Sequence, residues 1–352
     1  MKIDSKNFEK ILDGKETHLF TLQNEHGMSI QVCNWGARVI SLEVADKDGD
    51  MRNVVLGYPH LEDYLRYPEQ YFGAAVGRVG NRIANAQFQV NNITYFLQKN
   101  DGENHLHGGL KGFHKVVWKV EELSDSVIVF SYVSRHLEEG YPGELSVYLT
   151  YSLTDKNEFK VKYSATTDEA SPVSLTHHSY FNLNGIDGGI ITNHLMQINS
   201  QAITPVGEDL IPIGIQMKVH QSPFDFRKPR KIGDSIDEKH EQVVYGKGYD
   251  HHFVLPTKKG KMIKAAQVYS PITGISMKVF TDAPGMQFYS GNHLNIPNND
   301  LEESAFGFRS GFCLETQGFP NSINEVKFPS ILLSPEQEYT HHCIYQFGLE
   351  EV

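Results

Sequence analysis

A period-two hydrophobic alternation, recurring along nearly the whole chain, constrains this fold more than any other feature. Between residues 144 and 154, Leu145, Val147, Leu149, Tyr151 and Leu153 alternate with Ser146, Tyr148, Thr150 and Ser152. Successive side chains on a strand point to opposite faces, so this segment has one apolar face and one wet face. A polar turn, Asp155-Lys156-Asn157, leads into Phe159, Val161, Tyr163 and Ala165, which alternate with Lys160, Lys162 and Ser164. The pair reads as an antiparallel hairpin. Similar alternation appears at 86–97 around Asn91-Asn92, at 126–133 and at 274–281. Residues 39–44 and 52–56 flank Asp46-Lys47-Asp48-Gly49-Asp50. That acidic spacing invites a calcium loop, but its glycine comes too early for an EF-hand and no helices flank it. It reads as an Asp-Gly hairpin turn.

Helical patterns are few and short, at 60–66 and at 234–242. Many short strands without βαβ alternation predict an all-β fold, a large antiparallel sandwich with few short helices. The length of 352 residues alone suggests about two domains. No linker, internal repeat or low-complexity tract divides the chain, so residues 1–352 read as a single domain.

Charge narrows the partners. Asp and Glu total 43 against 32 Lys and Arg, a formal charge of −11. Nucleic-acid binding draws on phosphate neutralisation, which an acidic chain without a basic run lacks. No stretch approaches the roughly 20 apolar residues of a membrane span. The start, Met1-Lys2-Ile3-Asp4-Ser5-Lys6, is charged and has no apolar leader core. Cys33, Cys313 and Cys343 are too few and too scattered for a disulfide framework or a thiolate metal site. The expectation is a soluble, cytoplasmic protein with no nucleic-acid or membrane partner; monomer and homodimer stay open.

Familiar catalytic signatures are missing: there is no phosphate loop, G-x-G-x-x-G, G-x-S-x-G or H-E-x-x-H. Five polar clusters stand out instead. The first is Gly77-Arg78-Val79-Gly80-Asn81-Arg82-Ile83 and the second Asn104-His105-Leu106-His107-Gly108-Gly109. On a strand, His105 and His107 share a face, a spacing open to metal ligation, to catalysis or to satisfied histidines. The third, Ser174 to Leu183, contains His177-His178-Ser179-Tyr180, where alternation sets His178 and Tyr180 on one face and His177 on the other. The fourth is Gly248-Tyr249-Asp250-His251-His252-Phe253. In the fifth, Gly311 to Gln317, Phe312 and Leu314 face one way and Cys313, Glu315 and Gln317 the other. A Glu in so apolar a strand must be paired or face a cavity, because burying it alone is costly.

These five clusters, in this order, resemble the aldose 1-epimerase (galactose mutarotase) family, from about Asn34-Trp35-Gly36-Ala37 to Tyr339-Thr340-His341-His342. The most specific pieces are Asn81-Arg82-Ile83, Leu106-His107-Gly108-Gly109, His178 to Leu183, Gly248-Tyr249-Asp250-His251 and Leu314-Glu315-Thr316-Gln317. The resemblance implies a β-supersandwich with its site in a cleft, and interconversion of the α and β anomers of a free aldohexose. That chemistry needs a base at the anomeric hydroxyl and an acid at the ring oxygen, with neither metal nor cofactor. By resemblance Glu315 is the base, His178 the acid, and His107 a second histidine near the ring oxygen. Arg82 and Asp250 are implied to hold sugar hydroxyls, and Asn81 and Gln287 to be further sugar-contacting positions; Tyr180, on the face of His178, is expected to line the cleft.

The chain departs from the family pattern at His177 and His252, where Asn is common, and at His114 and Asn321, where Asp is. His177 doubles the candidates for the acid, and His114 and His252 bear on substrate preference. Competing readings are a non-catalytic sugar-binding protein, a mutarotase for another hexose or for hexose phosphates with Arg78 as the extra cation, a glycosidase using Glu315 and Asp250, and a histidine metal site.

Overall fold

The computed structural model of the chain describes residues 3–67, 69, 71–258, 260–295 and 306–350. The long alternating segments become a nine-stranded sheet with antiparallel neighbours throughout. Its order is Lys119–Leu123, Val127–Ser134, Leu145–Thr154, Glu158–Thr167, Tyr339–Leu349, Ile275–Thr281, Ile263–Tyr269, Leu195–Ile198 and Arg230–Lys231. The central hairpin pairs ten residues on each side. Its apolar set is the buried face, as period two requires. Asn91 and Asn92 close their hairpin with φ of 52° and 63°, the two left-handed residues of a primed turn. In the 46–50 turn the Asp46 carboxylate accepts the Asp48 and Asp50 amides at 2.9 Å and pairs with Arg52 at 2.6 Å. That acid is engaged in a hairpin turn and is not arranged to hold a cation.

A second layer packs on the inner face of this sheet. It combines a four-stranded sheet, Leu19–Gln23 to Met51–Asn53, with a five-stranded one ordered Met217–Lys218, Ala202–Thr204, Asp250–Val254, Gly285–Tyr289 and Cys313–Gln317. Their inward residues, among them Val39, Met286, Phe288 and Leu314, share one core with Tyr151, Phe159 and Tyr163. Each such side chain contributes about 1.5–3 kcal/mol by burial. The tyrosines also tie the layers together. Tyr151 donates to Ala37 O and Tyr163 to Thr176 O, both at 2.8 Å, and Tyr345 donates to Leu314 O at 3.1 Å. Two of these carbonyls belong to the strands that carry His178 and Glu315, so the large sheet positions the site from behind.

Of the two expected helices, the first forms as Leu61–Arg66. The second is displaced: the helix is Glu241–Gly246, and Ile232–Asp234 is a separate 3-10 turn. Asp234 caps that turn by accepting the Lys231 amide, and Arg309 clamps Asp237 with contacts of 2.7 and 3.0 Å. His240 then starts the helix as its N-cap, accepting the Gln242 amide. No helix among the described residues is long and apolar enough to cross a membrane.

Candidate active site

The strand Cys313–Gln317 keeps the alternation read from its sequence. Phe312 and Leu314 enter the core, and Glu315 points the other way at 2% exposure. Register places Gln287 opposite Glu315 and His252 opposite Gln287, while Asp250, Tyr289 and Cys313 form the adjoining row. Gln287 donates to Asp250 Oδ1 at 2.7 Å. Burial lifts the Glu315 carboxyl well above the usual range; Asp250 adds to this and Arg82 opposes it. Glu315 Oε1 lies 3.5 Å from His178 Nε2, and its Oε2 is buried without a hydrogen-bond partner.

His178 closes the short strand Thr176–His178, which pairs with Ala74–Val76. Its ring is sandwiched between Tyr180 at 4.9 Å and Tyr71 at 5.6 Å, interplanar angles 24° and 21°. Burial lowers its pKa to about 3, partly countered by its own backbone carbonyl. His177 faces away, bonded to Tyr151 OH at 3.2 Å and to Ser179 Oγ at 2.6 Å. Of the two candidates in this dipeptide, the structure therefore brings His178 to the cleft.

The expectation that His105 and His107 share a strand face is overturned. The strand is only His105–Leu106, and His107 lies one residue beyond it with φ of 50°. His105 is tied to Tyr141 OH and Gln98 O, away from the cleft. His107 turns toward His178, with ring centroids 5.1 Å apart. Gly108 makes this turn possible: it has φ of 81°, and a Cβ there would lie 1.7 Å from Gly77 O.

Of the eight expected site residues, Glu315, His178, His107, Asn81, Arg82, Asp250 and Tyr180 line one cleft, with Gln287 directly behind through its bond to Asp250. Arg82 is anchored by Asp101 at 2.6 Å. The cleft also contains Tyr71, Tyr289 and His293, which were not anticipated. Tyr289 was legible, since alternation puts it on the Gln287 face; Tyr71 lies outside any strand and gave no periodic signal. His114 and His252 do not line the cleft. Both are buried behind it, His114 against Tyr71 and His252 against Phe319, each at 4.8 Å. Asn321 accepts the Ala84 amide and so braces the turn after Ile83. Arg78 is buried too, its guanidinium committed to Ser134, Arg135 and Pro142.

His107, His178 and Glu315 each offer one atom within 4.8 Å of the others, the donor set of a two-histidine, one-carboxylate metal centre. The hydrogen bonding does not fit that use. The Asn81 amide donates to His107 Nδ1 at 3.1 Å, so the neutral ring carries its proton on Nε2. A metal-bound imidazole instead donates from its second nitrogen. His107 is thus placed as a neutral donor into the cleft, while His178 has Glu315 at Nε2 and Cys313 Sγ at Nδ1.

Comparison with known proteins shows the family. Residues 18–346 match the family model described as aldose 1-epimerase. Galactose mutarotase of Rattus norvegicus is 42% identical over 336 residues, covering 96% of this chain and 95% of the relative. Aldose 1-epimerase of Escherichia coli (strain K12) is 36% identical over 343 residues, covering 96% and 97%. Among solved structures, galactose 1-epimerase from Lactobacillus acidophilus NCFM superimposes with a TM-score of 0.84 at 28% identity, covering 97% of both chains. An aldose epimerase homologue from C. elegans gives a TM-score of 0.87 at 24% identity, covering 95% of this chain and all of that one, and bears on the fold alone. With sequence and fold in agreement along nearly its whole length, the chain belongs to the aldose 1-epimerase family.

Proposed function

We propose that this chain interconverts the α and β anomers of free aldohexoses, galactose foremost and glucose with it, by opening and reclosing the pyranose ring. The observation that carries the reading is the buried Glu315 Oε2, which has no hydrogen-bond partner, on a carboxylate whose Oε1 lies 3.5 Å from His178 Nε2. The galactose preference follows the names of the relatives at about 40% identity.

The anomeric hydroxyl and the ring oxygen share one carbon, C1, so a base and an acid with neighbouring heads reach both. Glu315 takes the proton of the anomeric hydroxyl while protonated His178 gives one to the ring oxygen. The C1–O5 electron pair moves to O5 and C1 becomes an aldehyde. After rotation about C1–C2, neutral His178 takes the proton from the C5 hydroxyl and Glu315 returns its own to O1, closing the ring on the other face. The pair holds one proton throughout and needs none from outside. Each positioned acid or base supplies about 10²–10⁴-fold. His107 Nε2–H donates to a sugar oxygen, and Arg82, Asn81, Asp250 and Gln287 orient the hydroxyls.

Burial favours the uncharged form of the pair, with the proton on the carboxyl and His178 neutral. That uncharged form is the one from which ring closure starts. The commitment of Arg78 to protein carbonyls removes the one cation that favoured a hexose phosphate. We place the protein in the cytoplasm, a reading supported by three cysteines that are all free and buried. Polarimetry of fresh α-D-galactose, α-D-glucose and a hexose 6-phosphate tests the reading. The free hexoses should equilibrate faster than in buffer, and binding of galactose with an unaccelerated rotation would make the protein a sugar-binding module instead.

A further inference from the structure

The two cleft histidines differ in what holds the nitrogen turned away from the substrate. His107 Nδ1 receives a backbone N–H, which fixes that ring as a donor. His178 Nδ1 instead faces the Sγ of Cys313 at 3.5 Å. Cys313 sits two residues before Glu315 on the same face of the same strand, so one strand supplies a neighbour to each nitrogen of His178.

We propose that Cys313 is a positioning residue for the acid: its sulfur accepts Nδ1–H of His178 and so keeps Nε2 as the nitrogen that exchanges the proton with the sugar. The proton count of the pair requires this orientation. With the proton on Glu315, neutral His178 must present a bare Nε2, so Nδ1 carries the hydrogen. With Glu315 ionised and His178 charged, Nδ1 carries it again. Nδ1–H therefore needs an acceptor in both states, inside a wall where an unpaired donor costs free energy. Sulfur is a weak acceptor, so it holds the ring while adding little to the imidazolium stabilisation that the His178 backbone carbonyl already gives. The acid stays strong enough for a weakly basic ring oxygen.

Apart from its own backbone carbonyl, which favours the charged ring, the remaining neighbours of His178 offer no hydrogen-bonding contact of this kind. Tyr71 and Tyr180 lie against its faces, and His107 meets it edge to face. Arg38 acts on it, and it acts on His107, buried His114 and His177, through charge. Burial and the nearby Glu315 push the Cys313 thiol well above its usual range, so it stays a thiol.

This inference rests on the acid role of His178, and the test separates the two. Cys313→Ala and Cys313→Ser are compared with wild type and His178→Asn in mutarotation of galactose across pH. Cys313→Ala should lower kcat about fivefold to tenfold, with KM changed by less than about twofold because the thiol does not touch sugar. Cys313→Ser should recover most of the loss and move the acidic limb of the profile upward, the hydroxyl being the better acceptor. In 15N-labelled wild-type enzyme at neutral pH, His178, assigned by its loss in His178→Asn, should show the Nδ1–H pattern. An Nε2–H pattern, or wild-type kcat and profile in Cys313→Ala, overturns the role of Cys313. Full activity in His178→Asn overturns the acid assignment beneath it.

Discussion

Acidification should destabilise this protein before its carboxylates titrate, and the cause lies in its buried histidines. His177, His251 and His252 are buried, and burial pushes each pKa down to about 3. In the unfolded chain each returns to about 6.5. Between these values the unfolded state binds the extra proton, so stability is complete above pH 6.5 and is lost as pH falls toward 3. At pH 5.5 the loss is about 1 kcal/mol for each histidine, or about 3–4 kcal/mol for the three, against a typical total of about 5–15 kcal/mol. His105, His194 and His341, lowered to about 4, act in the same direction. Glu315 and Asp250, whose carboxyls are raised by burial, oppose the trend in part. The clean perturbation is His252→Phe. That ring packs on Phe319, and neither of its nitrogens has a hydrogen-bond partner, so a phenyl group keeps the packing and removes one titration. Unfolding free energies from urea titrations at pH 7.5 and 5.5, read with circular dichroism, should fall steeply in wild type and by about 1 kcal/mol less in His252→Phe. Equal pH dependence in the two proteins would show that His252 is not held neutral by the fold and would refute the reasoning.

Two further outcomes follow from the site. Because the pair works with one proton, kcat should be flat around neutrality, fall at acid pH when His178 and Glu315 are both protonated, and fall again above the raised pKa of Glu315; stopped-flow polarimetry across pH reads both limbs. Arg38, fully buried between Trp35 and Tyr64, donates to Phe72 O and His114 O and so holds the turn that carries Tyr71. Arg38→Met orphans two buried carbonyls at about 1–3 kcal/mol each and should lower both the thermal midpoint and kcat; an unchanged midpoint would contradict this.

What the sequence disclosed was whatever depends on strand period. The long hairpins, the Glu315 face, and the opposition of His177 to His178 all follow from side chains that alternate, and packing had only to choose the buried face. What it withheld was set by contacts distant in sequence. His107 escapes the alternation because the chain leaves its strand at Leu106 and turns through a left-handed residue under Gly77 O. The helix expected at 234–242 yields to a clamp from Arg309, far along the chain. Arg78 looked like a substrate cation beside Arg82, yet it points the other way and caps carbonyls near Ser134 and Pro142. Tyr71 joins the cleft through its contacts with three histidines, none of them its neighbour in sequence.

The central claim is that Glu315 and His178 share one proton and pass it through the sugar. Its most direct test is the decay of optical rotation of fresh α-D-galactose with wild type and with Glu315→Gln, which keeps the shape of the side chain and abolishes the base. The account predicts rapid decay with wild type and a kcat about 10²–10⁴-fold lower in a folded Glu315→Gln protein that still binds galactose. Wild-type kcat in that variant, with its fold intact by circular dichroism, would contradict the account.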